Sequence, residues 1–530
     1  MRIAMIAWES LHSIAVGGVA VHTSELATAL AAKGHQVHLF TRRMPGQPAH
    51  DCIDGVHYHR CFYPQHRDFV DDVNNMCRSF VDRLFEVEDF IGKFDIVHAH
   101  DWLGANAMIW IKQGRGHKTV LTIHSTEYGR CGNAFYNGRS VRVREQERAG
   151  TYWADAVIAV SQATKKEISW MYEVPEDKVH VIGNGVNRKR FDFEMDAGKI
   201  KAEYGIGPLD PIVLFCGRLV WQKGPDILVE AIPEILRQYP NARFVFVGDG
   251  DMQGGLQART RHLGVAHAVR FLGYRNGDEL VRLIKSSDVV CVPSRNEPFG
   301  IVVLEAWAAG KPVVVTENGG PSEFIRHEVN GLKIYPRPDS VCWGLNRVFS
   351  DFDWARQLGR NGRQFLEERY SWDKVAEQVL EVYRLLSPEP VTQPVAEAIP
   401  QAAAEAVKQP DVEEIPQPRL EEPSRGEPIQ QNYDSSIEEL LEPVGGRGRT
   451  PVKLEVKLLL PESAESPGGI GDEIGEVLEM LNANLTEHHL ALQQKQRYLK
   501  IRGDWEDVTR ALYECRKGLN RCEESFRVPV

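Results

Sequence analysis

Short β-branched runs alternate with helical patterns through the first 387 residues of this 530-residue chain. That alternation is typical of βαβ units, which form parallel sheets covered by helices. The predicted strands fall into two series: first RIAMIAW (2–8), QVHLFT (36–41), IVHAH (96–100), TVLTIH (119–124), AVIAVS (156–161) and VHVI (179–182), then PIVLFCG (211–217), RFVFVG (243–248), VRFLG (269–273), VVCVPS (289–294) and PVVVT (312–316). We therefore predict an α/β protein in which two doubly wound parallel-sheet domains face a cleft at the carboxyl ends of their strands.

The domain boundaries are predicted from these series and from changes in composition. Residues 1–190 form the first domain, residues 191–370 the second, and the amphipathic segment 371–387 a helix that crosses back to the first domain. Residues 388–450 hold ten of the 29 prolines and 13 acidic against five basic residues, which predicts a disordered acidic linker. Residues 451–530 begin with a strand-like alternation and continue at helical spacing, which predicts a small, mostly helical interaction module.

Charge and composition narrow the class of partner. The net charge of −11 arises beyond residue 387, because residues 1–387 carry 47 basic and 47 acidic side chains. A nucleic-acid-binding protein normally has a basic excess, so no nucleic-acid partner is predicted. No apolar run approaches the roughly 20 residues of a membrane span. The N-terminus has the pattern of a buried strand rather than a signal peptide, and nine cysteines without a CxxC pair indicate reduced thiols. We expect a cytoplasmic protein.

The stretch LFCGRLVWQKGPDIL (214–228) ends a predicted strand in a glycine turn and continues into a helix near Pro225. Arg218 and Lys223 lie five residues apart in this turn. Two cations beside the free N–H groups of a helix start suit a diphosphate, although a surface arginine and lysine would give the same pattern.

Glu297 and Glu305 flank a Pro-Phe-Gly turn in NEPFGIVVLEAWAAG (296–310). At about 1.5 Å rise per helical residue they lie on the order of 10 Å apart, beyond the spacing of about 5–9.5 Å that acid and base pairs of glycosidases use. They suit opposite ends of an elongated ligand. Amide groups near Phe299, Gly300 and Ile301 open the helix and favour an anion or a sugar hydroxyl.

Two further groups follow strands of the first domain. Gly17 and Gly18 precede a helix and allow backbone to approach a ligand closely. His98, His100, Asp101 and His124 could hold a metal, but histidines that bind a ligand by hydrogen bonds or support the structure are the favoured interpretation, and no metal site is predicted. Asp249-Gly250-Asp251 is interpreted as a loop after a strand, not as a metal-binding DxD.

Together, the segments VGGVAVHTSEL, VHAHDW, TIHSTEYGR, VIGNGVN, GRLVWQKG, VGDG, FLGY, EPFGIVVLEA and PVVVTENGG resemble the retaining GT-B glycosyltransferases of family 4, also called group 1, over about residues 1–387. HAHDW and TIHSTEYGR are most similar to the glycogen- and starch-synthase-like branch. The chain departs from bacterial glycogen synthases at Ala15, where those enzymes carry a lysine, and in the interdomain segment 183–187.

The resemblance implies a role for each predicted residue. Arg218 and Lys223 would neutralise the donor diphosphate, with Gly17 and Gly18 approaching it from the first domain. The transferred sugar would be held by Glu297 together with the amides of Phe299, Gly300 and Ile301. Further contacts are implied for five residues: Glu305 to the ribose, Tyr274 near the base, His124 to the sugar near the reacting centre, and Asp101 and Glu9 toward the sugar or acceptor.

The implied reaction is retaining transfer of a hexose, first of all glucose, from a UDP- or ADP-sugar to a glucan or another glycan, with no cofactor and no required metal. A lipid-linked or small-molecule acceptor at a membrane surface is an alternative, although no basic amphipathic helix indicates it. An epimerase on the same fold is another alternative, and so is an inert core that acts as a scaffold through its C-terminal module. That module is expected to bind a protein partner or to self-associate.

Overall fold

Contacts within the chain define two units, Met1–Gly426 and Glu427–Val530. The structure, a computed structural model, describes residues 1–387 and, in the second unit, the backbone of three short strands at 454–459, 491–492 and 498–503. The predicted linker at 388–450 and the predicted helices of the C-terminal module lie outside the described residues.

The first domain is built on an eight-stranded sheet in the order β3-β4-β2-β1-β5-β6-β7-β8, parallel except for the β3–β4 pair. Its strands are β1 Arg2–Ile6, β2 Gln36–Arg42, β3 His50–Ile53, β4 Val56–Cys61, β5 Ile96–His100, β6 Thr119–Ile123, β7 Ala156–Ala159 and β8 Val179–Val181. Its helices are α1 Gly18–Ala32, α2 Phe69–Ile91, α3 Asp101–Arg115, α4 Glu127–Arg130, α5 Arg139–Trp153 and α6 Gln162–Tyr172.

The second domain is built on a six-stranded parallel sheet in the order β11-β10-β9-β12-β13-β14. Its strands are β9 Ile212–Cys216, β10 Arg243–Val247, β11 Val269–Phe271, β12 Val289–Val292, β13 Val313–Thr316 and β14 Leu332–Ile334. The helices that follow are α7 Ala197–Glu203, α8 Pro225–Gln238, α9 Gln253–His262, α10 Gly277–Ser286, α11 Ile301–Ala308, α12 Pro321–Phe324, α13 Pro338–Ser350, α14 Phe352–Arg369 and α15 Trp372–Leu386. Single 3-10 turns lie at Glu176–Lys178, Arg188–Phe191, Trp221–Lys223 and Ala266–Ala268.

The apolar character of β1 follows from its central position in the first sheet. Ala4 and Ile6 belong to the core on one face of the sheet, whereas Ile3 and Met5 belong to the core on the other. Because helices cover both faces, successive residues of the strand are all buried and the sequence shows no alternation. This confirms the prediction of doubly wound parallel sheets.

The helix α15 returns to the first domain. The Ser371 hydroxyl caps it by accepting a hydrogen bond from the Lys374 amide. Its buried face, which includes Val379 and Tyr383, packs in the same core as Leu26 of α1. The last strand of the first sheet ends at Val181 and the first strand of the second begins at Ile212, so the expected boundary near residue 190 falls between the two sheets.

The predicted strands are present, but three strands of the core were not predicted. The strands β3 and β4 carry four histidines and an aspartate, which masks the apolar pattern, and β14 has only three residues. In the second unit, β15 Leu454–Leu459, β16 Ala491–Leu492 and β17 Tyr498–Gly503 form an antiparallel sheet in the order β15-β17-β16. Only β15 corresponds to a predicted strand. Among the residues described, no helix has the length and apolar character needed to cross a membrane.

Candidate active site

Loops at the carboxyl ends of the strands bring the predicted residues of both domains together. Glu9 follows β1, Asp101 follows β5 and His124 follows β6 in the first domain, whereas Arg218 follows β9 and Glu297 follows β12 in the second. The charges of Glu9, Asp101 and Glu297 all act on the Arg218 guanidinium. Residues from the two halves of the chain therefore form one electrostatic site.

The glycine loop before α1 is held by Glu9. One carboxylate oxygen, Oε2, accepts hydrogen bonds from the amides of Val16 at 2.6 Å and Gly17 at 2.7 Å. Glu9 is buried, and this burial raises the pKa of its carboxyl group, while the two amide hydrogen bonds act in the opposite direction. The resemblance placed Glu9 toward the sugar or acceptor, but in this structure its Oε2 positions the loop.

Gly18 lies against the start of α11 in the opposite domain. A Cβ atom at Gly18 would lie 3.2 Å from Cδ1 of Ile301, a contact that requires the isoleucine to move. The absence of a side chain thus lets the loop approach the helix start where Phe299, Gly300 and Ile301 present their amides. Gly300 itself has φ 92°, in the left-handed region that glycine adopts without strain.

Glu297 and Lys223 form an ion pair. The Lys223 ammonium lies 2.8 Å from Oε1 and 2.9 Å from Oε2 of Glu297, and the Ser294 hydroxyl donates to Oε2 at 2.8 Å. Glu297 is only 4% exposed. Lys223 was predicted to bind the diphosphate and Glu297 the sugar. An ammonium has three donors, so the pair leaves Lys223 one hydrogen for a phosphate oxygen.

Arg218 is buried and has one weak side-chain hydrogen bond, from Nη2 to Oε1 of Gln222 at 3.3 Å. Burial lowers the pKa of its guanidinium, and the charge of Arg130 lowers it further, while Glu9, Glu297 and Asp101 raise it. A buried guanidinium with few bonds of its own is suited to an anionic ligand.

Arg130 and Glu147 are residues of the site that the sequence did not reveal. The Arg130 guanidinium bonds to Glu147 and Glu127, and its Nη1 donates to the Ser125 carbonyl at 2.6 Å. Burial acts to lower the pKa of Arg130, but these two carboxylates raise it overall. Arg130 therefore fixes the loop that carries His124. The arginine lies in the quoted motif TIHSTEYGR, but its buried partner lies 17 residues away, and no local pattern identifies such a pair.

Asp101 and His124 are joined through the backbone. Asp101 Oδ1 accepts the His124 amide at 2.7 Å, and Asp101 has φ 55°, an unusual conformation that is often found at functional sites. Burial raises the pKa of Asp101 to about 6, and burial lowers the pKa of His124 to about 3. His124 is accordingly a neutral hydrogen-bonding group at pH 7.

The histidines were considered as metal ligands together with Asp101, and the structure groups them differently. His98 is satisfied by the Tyr383 hydroxyl at 2.6 Å and the Thr122 hydroxyl at 2.7 Å. His22 of α1, which the sequence did not single out, joins His100 and His124, and one nitrogen from each of the three rings lies within 4.8 Å of the others.

Glu305 and Tyr274 occupy the second domain. Glu305 lies in α11, and burial raises the pKa of its carboxyl group to about 7, with partial compensation by Arg190. The Tyr274 amide donates to Asp249 Oδ2 at 3.2 Å, and Asp249 O accepts the Leu219 amide at 2.8 Å. Asp249 therefore joins the loops that carry Tyr274 and Arg218, as expected of a structural loop.

Several contacts join the two domains beside this site. Asn296 Nδ2 donates to Asn133 Oδ1 at 2.6 Å, and the Glu323 carboxylate accepts the amides of Gln162 and Ala163 at the start of α6. The first and second domains thus face each other in contact.

Two facing doubly wound domains with this connectivity and a returning C-terminal helix define the GT-B class. Residues 16–190 match Glycosyltransferase Family 4, and residues 196–365 match Glycosyl transferases group 1. The chain therefore belongs to the group 1 glycosyltransferases of family 4.

Individual relatives agree with this assignment. An uncharacterized glycosyltransferase of Methanocaldococcus jannaschii is 41% identical, over 73% of this chain and 98% of the relative. The glycogen synthase of Mycobacterium tuberculosis is 31% identical, over 72% and 94%. The structure of sucrose-phosphate synthase from Thermosynechococcus elongatus superposes with a TM-score of 0.64 at 25% identity, covering 73% of this chain and 99% of that one.

Proposed function

We propose that the protein is a retaining hexosyltransferase that moves glucose from a UDP- or ADP-sugar to a glucan or another glycan. The observation that carries this proposal is the arrangement of Arg218, Lys223 and Glu297 opposite the Gly17-Gly18 loop. It combines two cations for a diphosphate with a carboxylate for sugar hydroxyls. The 31% identity to a glycogen synthase supports the choice of sugar and acceptor.

The proposed step needs no protein nucleophile. The bond between the anomeric carbon and the donor's β-phosphate oxygen breaks, and an acceptor hydroxyl attacks that carbon from the same face. Its proton passes to the departing phosphate oxygen, so the products are a nucleoside diphosphate and a glycoside of unchanged anomeric configuration. Arg218 and the remaining Lys223 hydrogen stabilise the charge that develops on the phosphate. Because these cations are supplied by the protein, the proposed transfer requires no divalent metal.

Other residues complete the proposed donor site. The position of His124 beside the glycine loop suits a neutral hydrogen bond to the sugar, and Asp101 orients the His124 backbone. Glu305 is placed to accept the ribose hydroxyls, with Tyr274 near the base. In the proposal, the contact between Gly18 and Ile301 excludes water from the donor when the domains close.

The decisive experiment screens donors and acceptors separately. The full chain is incubated with UDP-glucose or ADP-glucose, and with glycogen, maltose or glucose 6-phosphate, while nucleotide release and product anomer are followed by NMR. Acceptor-dependent release with an α-linked product supports the proposal. Inverted product, or product formed without acceptor, would reject it, and the latter would favour the epimerase. Absence of any nucleotide-sugar binding by calorimetry would favour the scaffold.

The acceptor and the location remain parts of the proposal. A small phosphorylated acceptor belongs in the screen because a structural relative is named for sucrose phosphate. A lipid-linked acceptor is tested with vesicles that carry it. The seven cysteines that the structure describes are all free thiols, which supports a reducing compartment such as the cytoplasm.

A further inference from the structure

Three buried imidazoles lie side by side next to the proposed donor site. His22 belongs to α1, His100 ends β5 and His124 follows β6. The ring centroids of His22 and His124 are 4.4 Å apart, and His100 lies 5.3 Å from His22 and 5.4 Å from His124. His22 is 3% exposed and His100 1% exposed. Only His124 is open enough to reach the cleft.

Two of these rings have a nitrogen without a hydrogen-bonding partner. Among the residues that the structure describes, nothing accepts from or donates to Nε2 of His22 or Nε2 of His100, although both atoms are buried. A buried polar atom without a partner costs about 1–3 kcal/mol, so such atoms are expected to be used by a ligand. Two of them in one cluster indicate that an additional group belongs there.

The surrounding hydrogen bonds select the form of His22 that binds a metal. Asn184 Oδ1 lies 2.6 Å from His22 Nδ1 and can only accept, so Nδ1 carries the proton and the unpartnered Nε2 has a free lone pair. A ligating histidine characteristically donates its other N–H to an oxygen in this way. His98, whose ring packs 4.4 Å from that of His100, is fixed by Tyr383 and Thr122 and supports the cluster from behind.

The spacing matches a tetrahedral ion. Zinc–nitrogen bonds of about 2.0 Å separate two ligand nitrogens by about 3.3 Å. His100 Nδ1 and His124 Nε2 are already 3.2 Å apart. The nitrogens of the three rings lie within 4.8 Å, so binding would draw them together by at most about 1.5 Å.

We propose that His22, His100 and His124 bind one zinc ion, or another divalent ion that prefers imidazole, with water as the fourth ligand. Three histidines and an open position form a known zinc environment. This ion takes no part in the proposed transfer. It occupies His124 instead, so zinc and the donor sugar compete for that ring, a consequence that rests on the proposed role of His124.

The binding test uses the full chain after treatment with a chelator, titrated with Zn²⁺ by calorimetry. One zinc ion should bind, and His22→Gln or His100→Gln should remove this event. Asn184→Ala should weaken it by about 10–100-fold, as expected for a residue that orients a ligand. His57→Gln is the matched control, because His57 is a partly buried strand histidine outside the cluster. Equal zinc binding by wild type and His22→Gln would overturn the proposal.

A spectroscopic measurement keeps the test independent of the variants' folding. X-ray absorption of the zinc-loaded wild-type protein should show three imidazole nitrogens at about 2.0 Å. Sulfur in the first shell, or a single imidazole, would place the ion elsewhere and overturn the site.

The competition is measured with UDP as well as with UDP-glucose. Zinc should weaken binding of the sugar nucleotide in the wild type and leave binding of UDP, which lacks the sugar, unchanged. Zinc binding to the three histidines without this difference would support the metal site and contradict the sugar contact proposed for His124.

Discussion

At the scale of single residues, Lys223 has two duties that substitution can separate. It compensates the buried Glu297 carboxylate and, in the proposed reaction, one of its hydrogens binds phosphate. Lys223→Met should lower the free energy of unfolding by about 2 kcal/mol, because a largely buried carboxylate loses its counter-ion. Lys223→Met with Glu297→Gln should recover most of that stability, since no charge is then left unpaired.

Activity should not recover with stability. Both variants should lose transfer by about 10²–10³-fold if the ammonium stabilises the transition state. Urea unfolding and initial rates measured on the same samples make the comparison, and Lys199→Ala on the exposed side of α7 is the control. A double variant that regains both stability and rate would show that Lys223 has only a structural role.

Glu305 gives a second prediction, on pH. Burial raises its pKa to about 7 in the folded protein, above the value of about 4.3 in an unfolded chain. The ionised form is therefore disfavoured by folding, and the protein loses stability as the pH rises between these two values. Glu305→Gln should be more stable than the wild type at pH 8, by an amount on the order of 1–3 kcal/mol, and this gain should shrink toward pH 5.

The same carboxylate should make donor binding pH-dependent. An ionised Glu305 accepts ribose hydroxyls better than the neutral acid, so nucleotide affinity should rise by up to about tenfold from pH 6 to pH 8. Glu305→Gln should bind weakly with no such dependence, and Glu317→Gln, an exposed glutamate beyond β13, should behave as the wild type. Calorimetry at four pH values decides. A pH dependence that survives in Glu305→Gln would come from another group.

At the scale of elements, the β1–α1 loop and the start of α11 meet with little space. Gly18→Ala places a Cβ 3.2 Å from Ile301 Cδ1 and should raise the donor KM several-fold, with little effect on Tm because the loop can move. Ile301→Val removes Cδ1, so Gly18→Ala combined with Ile301→Val should recover much of the KM. Gly254→Ala, where no atom lies within 4 Å, is the control. Failure of the second substitution to rescue would argue against this contact.

The elements that the sequence predicted share one property, and those it missed share another. The strand β1 and the helix α8 depend on local apolar patterns and on a glycine-proline start, both of which can be read within a short window. The strand β4 is stabilised by its neighbours in spite of its histidines and arginine. His22 and Glu147 have local contexts without any chemical signal, and they reach the site only through tertiary packing.

The predicted site residues show the same division. Arg218, Lys223, Glu297 and His124 follow strands, and parallel strands place their carboxyl ends at one edge, so their proximity within each domain could be expected. The sequence could not reveal that Lys223 pairs with Glu297, or that Glu9 bonds to the glycine loop, because these depend on side-chain distances. The contact between Gly18 and Ile301 additionally depends on how the two domains face each other.

At the scale of the whole molecule, α15 connects the end of the second domain to the first. Gly185 has no room for a side chain beside Trp372, and the Val186 amide donates to the Tyr370 carbonyl at 2.9 Å. Buried residues of α15 complete the core under β1, and the Tyr383 hydroxyl binds His98 behind the histidine cluster. All of the predicted site residues precede this helix, yet the core of the first domain depends on it.

Two truncations separate these roles. A chain ending after Ser387 keeps both sheets, α15 and every predicted site residue, so its Tm and transfer rate should match those of the full chain. A chain ending after Tyr370 loses seven buried residues of α15, and each large apolar side chain among them contributes about 1.5–3 kcal/mol. The first domain should then unfold at a lower temperature than the second, which calorimetry would show as two transitions. If the shorter chain were equally stable, α15 would not complete the first core; if the cut after Ser387 abolished transfer, the second unit would be needed for catalysis.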